Sequence, residues 1–520
     1  MARDLLIIDV PCGQGGINRS KNIGLVSSSD LAILDGITIE RDMWEKEPGA
    51  SKINSATMGA TSKVRGTWEF VSGASVLELI AMLDDGATAK LVTVDSTGIV
   101  KTLKSGMTSG GNPVFAEGWD GTQKALYYVD GKNTMQVYTG GATTSDVPSP
   151  PADWSGANQP TVVCAHNERM CAAGNANFPH TIYLSEPGTH GVFTGGESGL
   201  NIIYPGEGEK TVGLISKLDY LYILKYPRGI YILDTADPNQ ANWQVQKISG
   251  AIGTASAGGA LPIDDDIIIY AADGLFYTMS QLSDYGEVTI PPLLPFETSQ
   301  FLKEEITSTQ LARLQSVWYG YKRKAIFVVP ATGATENNRR IEIDMHISAI
   351  PKMLYSKRDN NISIGMRRAT ASDVPKPIFG DDGGFVWQME SANRNKDSSG
   401  YNAQYETPPI PLISGGQRRA NLRELELLFH PQGNWDLTME VHRDGVLSQT
   451  LTFSMQSPGA AAGSISLDAD VLAGNTVANT KRRLEGDARY LKLIGRNNTV
   501  NQNFAVINHM IKFKAGNNRP

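Results

Sequence analysis

At 520 residues the chain is longer than one compact core usually organises, which excludes a single small domain and implies two or more domains or one large closed repeat. Its 41% hydrophobic and 19% charged content excludes a disordered chain, while 53 Gly and 26 Pro demand many turns and favour strands over helices. A formal charge of -7 without a polybasic block argues against a nucleic-acid-binding groove or a patch for anionic membranes.

The run Leu5 to Val10 is too short for a secretory signal and is followed by no small-residue cleavage site. No window approaches the roughly 18 apolar residues of a membrane span, so a soluble protein made in the cytosol is expected. Three cysteines, Cys12, Cys164 and Cys171, do not form a disulfide framework, and reduced thiols are the default.

Residues 1–59 read as a leader, in which Asp30 to Ile39 has the mixed spacing of a short helix. Beyond it, pairs of apolar strands are joined by turn-forming residues. Ala125 to Val129 passes through Asp130-Gly131 into Met135 to Tyr138, and Ile267 to Tyr270 passes through Asp273-Gly274 into Leu275 to Tyr277. Leu221 to Leu224 turns at Pro227-Arg228-Gly229, Val317 to Tyr321 at Lys322-Arg323-Lys324, and Ile378-Phe379 at Asp381-Asp382-Gly383-Gly384. Glycine supplies the positive φ that tight hairpin turns need.

Strand centres at 127, 222 and 268 are 95 and 46 residues apart, and the pair Val162 to Ala165 and Met170 to Ala173 fills the missing step. A period of about 40–50 residues with four strands per unit is that of a β-propeller blade, whose faces are buried only against neighbouring blades. Residues 60–400 therefore read as a propeller of six or seven blades, the alternative being a set of unrelated sandwich hairpins. Ser299 to Arg313, with Phe301, Ile306 and Leu311 on one side, reads as a helical insertion between blades.

Thr407-Pro408-Pro409-Ile410-Pro411 and Ser414-Gly415-Gly416 form a hinge-like composition break. After it, strands at Leu422 to Phe429, Leu437 to His442, Gln449 to Met455, Tyr490 to Gly495 and Ala505 to Phe513 predict a C-terminal β-sandwich over 401–520, with Pro458 to Ala478 as a long loop. From residue 414 onward thirteen Lys or Arg face nine Asp or Glu, a balance of +4 that leaves -11 for the rest of the chain.

Candidate chemistry is sparse. Cys164, His166 and Cys171 are soft-metal ligand types, but Cys164 and His166 are spaced i and i+2 and no second pair completes a tetrahedral zinc set, so packed thiols in one hairpin are the simpler reading. Asp264-Asp265-Asp266 and Asp381-Asp382-Gly383 lack the ligand spacing of a calcium loop and read as turns. Val94-Asp95-Ser96-Thr97-Gly98 only approaches the aspartate box of sialidase-like propellers. Gly13-Gln14-Gly15-Gly16 lacks the Lys-Ser/Thr of a phosphate loop, and no Gly-x-Ser-x-Gly elbow occurs. No catalytic residue, cofactor or metal is expected. The triplet Lys481-Arg482-Arg483 reads either as a solvated turn or as a contact for an acidic neighbouring surface.

Arg418-Arg419, Asn434-Trp435-Asp436-Leu437, Asp444-Gly445, Lys481-Arg482-Arg483 and Asn497-Asn498, in that order among alternating strands, resemble the closing domain of tail hub or nozzle proteins of short-tailed bacteriophages. Gly15-Gly16-Ile17-Asn18, the stretch Ser27 to Gly36 and Lys46-Glu47-Pro48-Gly49 are similar to the opening of that family, although Glu47 stands where a basic or apolar residue is common. Leu218 to Gly253 is similar to its middle blades. The resemblance implies a structural virion protein in the phage tail, assembled as a ring of six copies below the head-to-tail connector. It further implies partners in fibre, spike or needle proteins and passage of double-stranded DNA without sequence-specific binding. The alternative function is a propeller-type carbohydrate-binding protein or glycosidase, for which an aromatic and carboxylate cluster in one pocket would be the sign.

Overall fold

The computed structural model describes the chain apart from residues 1–4, 13–16, 19–29, 41–42, 60, 205–207, 281–291, 307, 346–350, 358–360, 369–373, 392, 414–417, 457–476 and 516–520. Within it the fold is mainly β, a propeller joined to a β-sandwich. The first blade comprises Lys63–Val71, Leu77–Asp84, Thr88–Val94 and Val100–Thr108, and the second Val114–Trp119, Lys124–Val129, Gln136–Tyr138 and Ser145–Asp146. Val162–His166, Arg169–Ala173, Thr181–Leu184 and Gly199–Ile202 form the third, and Lys210–Lys217, Tyr220–Tyr226, Ile230–Asp234 and Gln244–Ser249 the fourth. The fifth has Ala260–Pro262, Ile267–Tyr270 and Phe276–Thr278, and the sixth Gln315–Tyr319, Lys324–Val329, Arg339–Asp344 and Lys352–Ser356. In the seventh, Ser363–Arg367, Lys376–Gly380 and Val386–Ser391 are joined by Gly49–Lys52, a strand from before the first blade.

That borrowed strand closes the ring, and Ser363–Arg367 packs beside Lys63–Val71. Second strands begin at Leu77, Lys124, Arg169, Tyr220, Ile267, Lys324 and Lys376, the repeat that the hairpin spacing predicts. The longest step, from Ile267 to Lys324, holds the inserted helix Phe296–Glu305 and a 3-10 turn over Ser308–Arg313, which bury Phe301 and Leu311. Apolar layers lie between blades: Phe70, Ile80 and Met82 meet Leu126 and Tyr128, and Cys171 and Ile182 meet Leu221 and Ile223. Each sheet thus buries faces it could not bury alone.

The turn between second and third strands carries one recurring clamp. Asp130 accepts from the backbone N–H of Lys132 and Asn133 and from the Tyr128 hydroxyl at 2.7 Å. Asp273 accepts from the Leu275 N–H and the Tyr277 hydroxyl, and Asp381 from the Gly383 and Phe385 N–H and the Trp387 indole at 2.7 Å. Gly131 and Gly274 take φ of 74° and 82°, as their turns require.

Both chain ends build the sandwich. Its seven-stranded sheet runs Ile37–Glu40, Met43–Lys46, Ala505–Ala515, Ala420–Phe429 and Ala478–Arg483, with Leu6–Pro11 also on Ala505–Ala515 and Asp487–Ala488 on Ala420–Phe429. The six-stranded sheet runs Ile33–Asp35, Ala403–Glu406, Tyr490–Asn497, Asp436–Arg443 and Val446–Ser454, with Ile410–Pro411 on Tyr490–Asn497. Trp44, Tyr405, Leu425, Val441, Leu493 and Phe504 fill the space between the sheets.

Two expectations are corrected here. Asp30 to Ile39 is no helix: it contains two strands divided at Gly36, whose φ of 63° turns the chain from one sheet to the other. Leu31, Leu34 and Ile37 are all buried, so their three-residue spacing imitates a helical face. Nor is Thr407 to Pro411 an exposed hinge. Thr407 is fully buried, its N–H donates to Leu493 O and its hydroxyl accepts from Leu493 N–H. The expected loop Pro458 to Ala478 lies almost wholly outside the described residues, as do Gly13 to Gly16 and Ser27 to Ser29. Among the described residues no helix is long and apolar enough to cross a membrane.

Candidate functional site at the junction and the basic edge

Lys46-Glu47-Pro48-Gly49 ties the sandwich to the propeller. Lys46 ends a sandwich strand, is fully buried, and donates from Nζ to Asn497 Oδ1 at 3.0 Å and Thr499 O at 2.7 Å. Its ammonium also lies 4.7 Å from the Tyr401 ring. Glu47 points the other way and pairs with Arg340 of the sixth blade. Arg340 is 2% exposed and reaches Glu342 at 2.8 Å, while Lys324 donates to Glu342 at 3.2 Å and to the Thr38 hydroxyl at 2.7 Å. Burial alone would raise the pKa of Glu342, but Lys324 and Arg340 prevail and hold it at about 2. Gly49 is needed because a Cβ there would sit 1.9 Å from Asn393 O. Four consecutive residues therefore anchor one domain, neutralise a buried cation in the other, and start the strand that closes the ring. Among them Glu47, singled out only as a departure from the family pattern, carries the contact to Arg340.

The triplet Lys481-Arg482-Arg483 lies within the edge strand Ala478–Arg483, and not in a turn before a strand. Lys481 Nζ is 3.7 Å from Glu426, and Arg482 donates from Nε to Thr452 O at 2.8 Å with its guanidinium 5.7 Å from the Phe453 ring. Arg483 is exposed beside Glu424 in the register. Charges along an edge discourage uncontrolled pairing of that edge with another strand, so the triplet needs no ligand to explain it. The other residues that carry the resemblance serve as clasps. Trp435 donates to Asn503 O, Asp444 accepts from the Arg489 and Tyr490 N–H groups, and Asn497 donates to Asp436 O.

Beside the inner strands, side chains bridge blades that are two apart in the ring. Lys63 and Arg65 of the first blade and Arg313 before the sixth converge on Glu336, and Gln315 donates from Nε2 to Arg65 O at 2.6 Å. At the other end of these strands Arg368, directly after the first strand of the seventh blade, pairs with Glu117 of the second, which also accepts from the Trp68 indole at 3.1 Å.

Cys164 and Cys171 face each other in register as free thiols, and burial raises the pKa of both. His166 is turned to Ser216 Oγ at 2.8 Å and Thr235 Oγ1 at 2.7 Å, and burial lowers its pKa. The structure does not bring the three together as ligands. Asp264 accepts from the Trp318 indole, Asp266 from Ser280, and Asp95 from Thr97 and Ile99, all turn or strand contacts. Among the described residues no group of three His, Cys, Asp or Glu side chains is placed to hold a metal ion.

No family model matches the chain, and no curated protein matches it. Among solved structures it is similar to PorZ, a surface component of the type-IX secretion system of Porphyromonas gingivalis, at 13% identity and TM-score 0.36, over 77% of this chain and 46% of that one. The chain thus spans less than half of PorZ. It is also similar to the Cps50 (Swd1) β-propeller domain of Myceliophteria thermophila, at 12% identity and TM-score 0.37 over 64% and 98%. The computationally designed Ika8 protein follows at 9% identity and TM-score 0.34, over 65% and 99%. Such slight likeness adds nothing to what the sheet order already establishes.

Proposed function

We propose that this protein is a structural component of a short-tailed bacteriophage tail, a nozzle or hub subunit that assembles as a six-fold ring below the head-to-tail connector. In that role it carries fibres, spikes or a needle and forms the channel for genome retention and ejection. The observation that carries the reading is the junction at Lys46 to Gly49, where motif residues of the resemblance lock sandwich and propeller through buried charges. A locked two-part body suits a load-bearing strut, because buried ion pairs are strongly destabilised when one partner is removed. In this reading DNA passes between the copies of the ring. The balance of -11 before residue 414 favours a wall that does not hold phosphates, since each neutralised phosphate adds affinity. No enzymatic turnover is part of the proposal. Its test is addition of the purified chain to tail-less particles. Docking at the connector vertex supports the role, and failure to dock with folded protein removes it.

A further inference from the structure

We infer that a cleft on the fourth blade binds an acidic saccharide, a hexuronate unit whose carboxylate meets Lys247 and Arg228 and whose hydroxyls donate to Glu209. The inference rests on this cleft alone and is independent of the tail reading. The cleft is open, about 470 Å³, and lined by Glu209, Arg228, Tyr231, Lys247 and Gly250. Glu209 precedes the first strand of the blade, Arg228 sits in the turn between the second and third, and Lys247 is on the fourth. Three separate segments therefore converge.

Glu209 is only 6% exposed. Its Oε1 accepts from Arg228 Nε at 3.1 Å, but its Oε2 is buried with no hydrogen-bond partner. An acceptor left in that state is costly, and donors brought by a ligand would relieve it. Arg228 keeps most of its side chain exposed, and Lys247 is exposed on the rim. The Tyr231 ring walls the cleft but is 1% exposed, with both of its faces covered. Tyr231 stacks on Tyr204 with centroids 5.0 Å apart, and Lys225 backs the Tyr231 ring at 4.9 Å. Tyr204 and Tyr226 are 43% and 40% exposed. Gly229, at φ 108°, keeps the mouth open, since a Cβ there would press on Tyr231 Cε2 at 3.1 Å.

The ligand class follows from these groups. Two cations call for an anion, and one deprived carboxylate oxygen calls for hydroxyl donors. A simple phosphate would satisfy the cations and be repelled by Glu209. A neutral sugar would leave Lys247 and Arg228 unused. A hexuronate supplies both demands from one ring.

Titration calorimetry of the full chain with D-glucuronate and a glucuronate-containing tetrasaccharide, against glucose and inorganic phosphate, tests this. Saturable binding of the acidic sugars, at least about tenfold tighter than either comparator, is expected. Glu209→Gln and Lys247→Ala should each weaken it by roughly tenfold or more. If Glu209→Gln does not fold, Lys247→Ala decides, because that side chain is exposed. No saturable binding, equal binding of phosphate or glucose, or an unaffected Lys247→Ala variant would overturn the assignment.

Discussion

Glu47 shows how far one side chain can reach. Its partner Arg340 is 293 residues away in sequence, so nothing local to Lys46-Glu47-Pro48-Gly49 could reveal that the glutamate is buried and paired. Glu47→Ala would remove a carboxylate from the buried Arg340, and a loss of about 3–5 kcal/mol in urea unfolding is expected. A loss below about 1 kcal/mol would show that the junction is not held by charge. A second buried group makes stability depend on pH. His509 is fully buried between Cys12 Sγ at 3.5 Å and the Tyr405 hydroxyl at 2.8 Å, and burial lowers its pKa from about 6.5 to about 4. Because the neutral ring is the one that fits, the unfolded chain takes up the proton first. Stability from this group is complete above pH 6.5 and is lost as pH falls toward 4, at up to about 1.4 kcal/mol per pH unit. His509→Phe should flatten that part of the pH–stability curve, and an unchanged slope would contradict the burial argument. Cys12 and His509 lie at opposite ends of the chain, which is why the sequence offered no sign of this contact.

Elements were legible wherever a turn announced them. Asp130-Gly131, Asp273-Gly274 and Asp381 to Gly384 mark the same turn in three blades, and the spacing of the strand centres at 127, 222 and 268 carried the propeller repeat. The strand Gly49–Lys52 was not legible as part of the last blade, because ring closure is a long-range pairing with no local signature. The strand Ala478–Arg483 was hidden for another reason: three consecutive cations mask alternation, and the pairing that makes it a strand comes from Ala420–Phe429. Two outcomes follow at this scale. Subtilisin should not cut within residues 407–411 of the native protein, since Thr407, Pro408 and Ile410 are buried, and early cleavage there would contradict the sandwich pairing. Reversing Arg483 to Glu should leave the melting temperature within a few degrees, because surface substitutions usually change stability by less than about 0.5 kcal/mol. If the basic edge is also a contact between copies or to a fibre, the same variant should weaken attachment, with the defect shrinking at high salt. Attachment that is unchanged at low salt would leave edge protection as the whole role of the triplet.

For the molecule as a whole, sandwich and propeller share one continuous apolar core that includes Trp44 and Leu34 of the leader, Phe327 and Ile343 of the sixth blade, and Leu425 and Phe513 of the last domain. Leu6–Pro11 pairs with Ala505–Ala515, so segments about 500 residues apart in sequence share one sheet. Leu5, Leu6 and Ile7 at the start of that pairing are about half exposed, and the basic strand lies on the other side of the same sheet. Two unlike edges can meet head to tail, the arrangement from which closed rings are built. The most direct test of the tail-ring proposal is the mass and negative-stain image of the purified full chain, alone across a range of concentrations and mixed with tail-less particles. The proposal predicts closed six-fold rings with a channel between copies, docked at the connector vertex. A 56.2 kDa monomer under every condition, with no docking, would contradict it.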